Sequence, residues 1–207
     1  MSGGGAGLEA ARAAARDDVW IVAVEPARSD TALLCSVRTR GLPDAQSRET
    51  LESGLPAAVV LAFSLLDPSG HERGGSRVEV RIEPDLWEDV VVVRTPLQDR
   101  RAASIEGVAS LMGRLGPFPV LPMRLLDPGQ SLRIRVRLAV HPLAPAEIRR
   151  VHALFGGESS GGDPNRREVS AGLGTLLRYF LGRERDADWA ADATSSPFTC
   201  GSLARAP

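Results

Sequence analysis

The chain has 207 residues, 43% of them hydrophobic and 25% charged, which is the balance of a globular protein able to bury its own core. A net charge of −1 supplies no global field to draw in nucleic acid or an anionic membrane. Aromatic residues, at 4%, are too few for a surface that stacks bases or sugars.

Every basic residue is arginine, which a GC-rich, bacterial type of coding bias explains more simply than function does. No run approaches the ~18 apolar residues of a membrane-spanning helix. Residues 1–18 are rich in glycine and alanine and read as a flexible segment without the apolar core of a secretory signal. As written, the chain reads as cytoplasmic. Ala13-Ala14-Ala15 before Arg16 resembles the far end of a cleaved leader, so a truncated start would make the protein periplasmic or secreted.

In chain order, Val19–Val24 predicts a short strand ended by Pro26, and Thr31–Arg40 a second strand. Gly41-Leu42-Pro43-Asp44 then opens a helix, with Asp44 as its N-cap and Gly54 just past its end. Pro56–Leu66 is strongly apolar and predicts a buried strand, followed by the turn Asp67-Pro68-Ser69-Gly70. Over 76–83 the chain alternates, with Val78, Val80 and Ile82 on one side and Arg77, Glu79, Arg81 and Glu83 on the other. Pro84 is expected to stop that ladder, and Asp85–Asp89 to form a polar turn in which Trp87 is the apolar anchor. Val90–Val93 starts the next strand.

Ser104 predicts the cap of a helix running through Ile105, Val108, Leu111, Met112 and Leu115 to Gly116. A proline-punctuated strand follows over Phe118–Leu126. Ser131–His141 alternates again, with Leu132, Ile134, Val136, Leu138 and Val140 inward and Arg133, Arg135 and Arg137 outward. The tetrapeptide Leu-Leu-Asp-Pro occurs at 65–68 and at 125–128, and Val37-Arg38-Thr39 is echoed by Val93-Arg94-Thr95. These echoes in matched order read as an internal duplication of a strand–helix–strand–strand unit, at about 31–84 and 90–141.

Beyond Pro142 a helical extension spans 142–185, interrupted by the glycine-rich linker 156–165. Val169, Leu173, Leu176, Leu177 and Phe180 make one stripe of an amphipathic helix that also carries Arg178. Residues 186–207 read as a polar tail anchored by Trp189 and Phe198.

No motif names a chemistry. His71, His141 and His152 lack partners at metal-ligand spacing, so boundary or surface histidine is the better reading of each. Asp67 and Asp127 could pair as carboxylates across a pseudo-twofold axis, but Asp-Pro is foremost a turn starter. Arg133, Arg135 and Arg137 share a strand face and are candidate anion contacts; the simpler reading is a solvated face with cross-strand ion pairs from Glu79 and Glu83. Gly172-Leu173-Gly174 lacks the strand and the lysine of a nucleotide loop. Cys35 reads as a buried strand residue and Cys200 as a tail thiol, with two free thiols favoured over a disulfide.

The fold class expected is α+β: a mostly antiparallel sheet from two related strand–helix–strand–strand units, with a C-terminal helical extension. The expected function is a non-enzymatic accessory or binding module. It would hold a protein partner through a sheet face or through Leu173, Leu176, Leu177, Arg178 and Phe180. The alternative is a carrier of an apolar small molecule in a groove between helices and sheet, with Phe63, Met112 and Phe118 as candidate cavity residues. An enzyme of unknown class ranks last, because no nucleophile, base and orienter can be named. No cofactor, metal or nucleic-acid partner is expected.

Overall fold

The computed structural model describes residues 19–141 and 189–205. Within them, ten strands form two antiparallel sheets, and two short helices close one end. The smaller sheet has the order β1-β2-β7, with β1 at Trp20–Arg28, β2 at Ala32–Arg40 and β7 at Arg114–Pro122. The larger runs β10-β8-β3-β4-β5-β6, and β9 also pairs with β8. Its strands are β3 (Ala57–Leu66), β4 (Glu72–Asp85), β5 (Val90–Arg94), β6 (Asp99–Ala102), β8 (Ser131–His141), β9 (Ala191–Thr194) and β10 (Phe198–Thr199).

The period of two in the sequence decides which face meets which. Ala57, Val59, Leu61, Phe63 and Leu65 of β3 point inward with Val78, Val80 and Ile82 of β4. Leu132, Ile134, Val136 and Leu138 of β8 join them, as the alternation implied. Leu33, Cys35 and Val37 of β2 and Leu115, Phe118 and Val120 of β7 contribute to the same cluster from the smaller sheet. Phe63 and Phe118 meet in this layer, ring centroids 6.2 Å apart and tilted by 58°. Such a pair adds about 0.5–1.5 kcal/mol to the burial of the two rings.

Helix α1 (Ala45–Glu52) begins at Asp44, whose Oδ1 accepts from Ser47 N at 2.9 Å, and Gly54 follows it at φ +77. Its buried Leu51 seals the end of β3 and β4. Helix α2 (Ile105–Met112) is capped by Ser104, which accepts from Gly107 N at 3.3 Å. It buries Val108 and Met112 beside β5, β6 and β7. Both helices therefore lie at the same end of the sandwich as the β4–β5 turn.

Several boundaries differ from the sequence reading, each for a local reason. Helix α2 stops at Met112, because Gly113 caps it and Leu115 turns into the core as part of β7. Strand β7 ends at Pro122, and Met123–Leu125 forms a 3-10 turn in place of its last residues. Pro26 and Pro84 do not end their strands. Pro26 lies within β1, which among the described strands pairs with β2 alone, at the margin of its sheet where a missing N–H is tolerated. Pro84 lies past Ile82, the last residue of β4 with a partner on β3, so it opposes only Val91 of β5. β6 lies between β5 and α2, whereas β2 leads directly into α1.

Residues 189–205 rejoin the larger sheet. Ala190 N donates to Leu138 O at 2.7 Å, and Ala191–Thr194 runs antiparallel to Arg135–Leu138. Ser195 bonds Ile134 twice, donating N–H to its carbonyl and accepting its N–H on Oγ at 3.0 Å. Phe198 and Cys200 then enter the core.

Candidate functional site at the β4–β5 hairpin tip

Strand β4 runs past its neighbour β3, so the hairpin Asp85–Val90 projects from the helical end of the molecule. Asp85 fixes its shape. Oδ1 of Asp85 accepts from Trp87 N at 3.1 Å and from Glu88 N at 3.2 Å, a side-chain turn that replaces backbone bonds. Asp89 closes the turn at φ 52, a left-handed conformation that Asp tolerates better than branched residues do. The result presents Trp87 with 99% of its surface exposed and Leu86 with 77%. Leu86 leans on Gly54, whose added Cβ would lie 3.6 Å from a Leu86 methyl, and the neighbouring Leu55 is half exposed. Glu88 forms an ion pair with Arg101 of β6, and Glu52 and Asp89 are also exposed at this end.

Trp87 is therefore not the buried anchor its residue type implied. It lies two residues past the end of β4, in a turn where strand alternation no longer holds and where Leu86 is exposed as well. Both i±2 neighbours of Trp87 are aspartates, which offer no apolar surface to pack against.

The other candidate residues are placed differently. Arg133 is exposed, whereas Arg135 grips Asp192 of β9, with Nε 2.9 Å from Oδ2. That carboxylate raises the Arg135 pKa through hydrogen bonding and charge. The Arg137 guanidinium lies 4.6 Å from the centroid of the Trp189 ring. Two of the three arginines thus hold the returning chain. Glu79 pairs with Arg81 on its own strand at 2.7 Å, and Glu83 with Arg94 of β5 at 2.6 Å, so neither reaches β8.

Phe63, Met112 and Phe118 are all buried in the inter-sheet core. Leu173, Leu176, Leu177, Arg178 and Phe180 lie outside the described residues, as does His152. His71 is exposed, and His141 is half-buried at the end of β8. Asp67 and Asp127 each serve their own turn: Asp67 accepts from Ser69 N and His71 N, and Asp127 from Gly129 N.

Cys35 and Cys200 are both free and buried. Burial pushes the Cys35 thiol up to about 12 and raises that of Cys200, against a small opposing effect of Arg28. Among the described residues, no three His, Cys, Asp or Glu side chains converge as a metal site. No helix among them is long and apolar enough to cross a membrane. Compared with known proteins, the chain matches no family model, no curated protein and no solved structure.

Proposed function

We propose that this protein is a non-enzymatic binding module that holds a protein partner, and that the β4–β5 tip makes the contact. The observation that carries the reading is Trp87, fully exposed on a turn whose shape Asp85 fixes. Leaving an indole in water forgoes roughly 1.5–3 kcal/mol of burial. Large aromatics on well-ordered surfaces are the residues that most often dominate binding energy. Leu86 and Leu55 extend the apolar surface beside it.

The carrier reading has less support, since Phe63 and Phe118 are in ring contact and Met112 is wholly buried. The duplication belongs to the same proposal. It is supported by the order helix, strand, Leu-Leu-Asp-Pro in both halves, with the tetrapeptide closing β3 at 65–68 and beginning at the end of the 3-10 turn after β7 at 125–128.

A photo-crosslinking amino acid at position 87 of the full chain, compared in cells with one at Ser69, tests the function. Ser69 lies in the Asp67–Gly70 turn at the opposite end of β3 and β4. The expected result is a discrete adduct with another protein from position 87 and none from position 69. Absence of a position-87 adduct, or equal adducts from both positions, contradicts the reading.

A further inference from the structure

We infer that the partner receives the tip in an apolar slot rimmed by arginine or lysine side chains. This inference rests on the binding reading above and adds the chemistry of the surface that fits.

The tip is a small apolar knob in an acidic collar. Its five residues, Asp85-Leu86-Trp87-Glu88-Asp89, hold three carboxylates and no basic group, and Glu52 at the end of α1 adds a fourth nearby. Asp85 spends its carboxylate on the backbone of the turn, and Glu88 is paired with Arg101. Glu52, on the helix whose trailing Gly54 meets Leu86, and Asp89, in the tip itself, remain as exposed charges. A partner that seats the indole brings its rim against these carboxylates.

An acidic or anionic rim would be repelled at this distance, and an uncharged one would leave the carboxylates partly desolvated without compensation. An anionic bilayer is disfavoured for the same reason, although an exposed tryptophan alone would suit a membrane interface. A second copy of the tip is also a poor occupant, since it presents the same sign of charge.

The test uses the protein trapped from position 87, purified and bound to the full chain at low and moderate salt. Three forms are compared: the unaltered chain, Trp87→Ala, and the double variant Glu52→Gln, Asp89→Asn. Asparagine is chosen at 89 because it tolerates the φ of 52 found there. Circular dichroism and thermal melting confirm that each form is folded.

The expected result is about 100-fold weaker binding for Trp87→Ala. The neutralised variant is expected to bind about tenfold more weakly and to lose most of the salt dependence of the unaltered chain. Full loss with Trp87→Ala but no effect of neutralisation overturns the basic rim and leaves the binding function standing. No effect of Trp87→Ala overturns both. A position-87 adduct with a second copy, or binding of the chain to phosphatidylglycerol vesicles in place of a protein, also overturns the inference.

Discussion

Cys35 and Trp87 are the two extremes of side-chain environment in this fold, one with no exposed surface and the other with almost nothing else. Strand parity sets the first, since Cys35 alternates inward with Leu33 and Val37. The Asp85 turn sets the second, since Trp87 lies past the end of β4 and Leu86 is exposed beside it. The buried thiol has a consequence for alkaline stability. Its folded pKa is raised to about 12 from an ordinary 9.0, chiefly by desolvation. The folded state therefore keeps a proton that the unfolded chain releases. That contribution is fully present below pH 9.0 and is lost as pH rises towards about 12. Cys200, whose pKa burial also raises, contributes in the same direction, and the chain has no lysine. Urea midpoints are expected to fall between pH 8 and about pH 10, and to fall less steeply in Cys35→Ala. Equal slopes in the two proteins would contradict the burial of this thiol.

At the scale of elements, β4 comes very close to its sheet neighbour β3 at its start, next to a residue that joins the two sheets. A Cβ added at Gly75 would stand 1.9 Å from the Phe63 carbonyl oxygen, a backbone atom that cannot move aside. Ser76 then donates from Oγ to Pro119 O of β7 at 2.8 Å, tying the larger sheet to the smaller one. Gly75→Ala is expected to cost about 3 kcal/mol, because the strands must separate. Gly70→Ala, in an open turn at φ +83 with nothing near its Cβ, is expected to cost only about 1–2 kcal/mol. Denaturation that finds Gly75→Ala no worse than Gly70→Ala would contradict this account of the close approach.

The same elements show what could be read beforehand. The inward rows of β3, β4 and β8, the Asp44 and Ser104 caps and the glycine after α1 were legible, because each rests on local periodicity or local hydrogen bonding. Strands β6, β9 and β10 were not. β6 is Asp-Arg-Arg-Ala, a charged margin held by pairing with β5. β9 and β10 are four and two residues long, and exist because β8 offers them an unfilled edge. No window of their own sequence carries that information.

For the whole molecule, the packed layer lies between the sheets, and the surface singled out here lies at the helical end. There α1, Gly54 and the long β4–β5 hairpin converge under Leu86 and Trp87. The candidate site was only half legible, since the polar turn over Asp85–Asp89 could be read but residue type made Trp87 an anchor. What fixed it was the turn made by Asp85, which depends on the backbone of the following residues and not on any motif.

The most direct test of the account is collisional quenching of Trp87 in the full chain carrying Trp20→Phe and Trp189→Phe, which leaves one indole to observe. The expected result is red-shifted emission and quenching by acrylamide close to that of free tryptophan. Blue-shifted, shielded emission from the protein alone would mean that Trp87 is covered, and would contradict its role as a contact open to a partner.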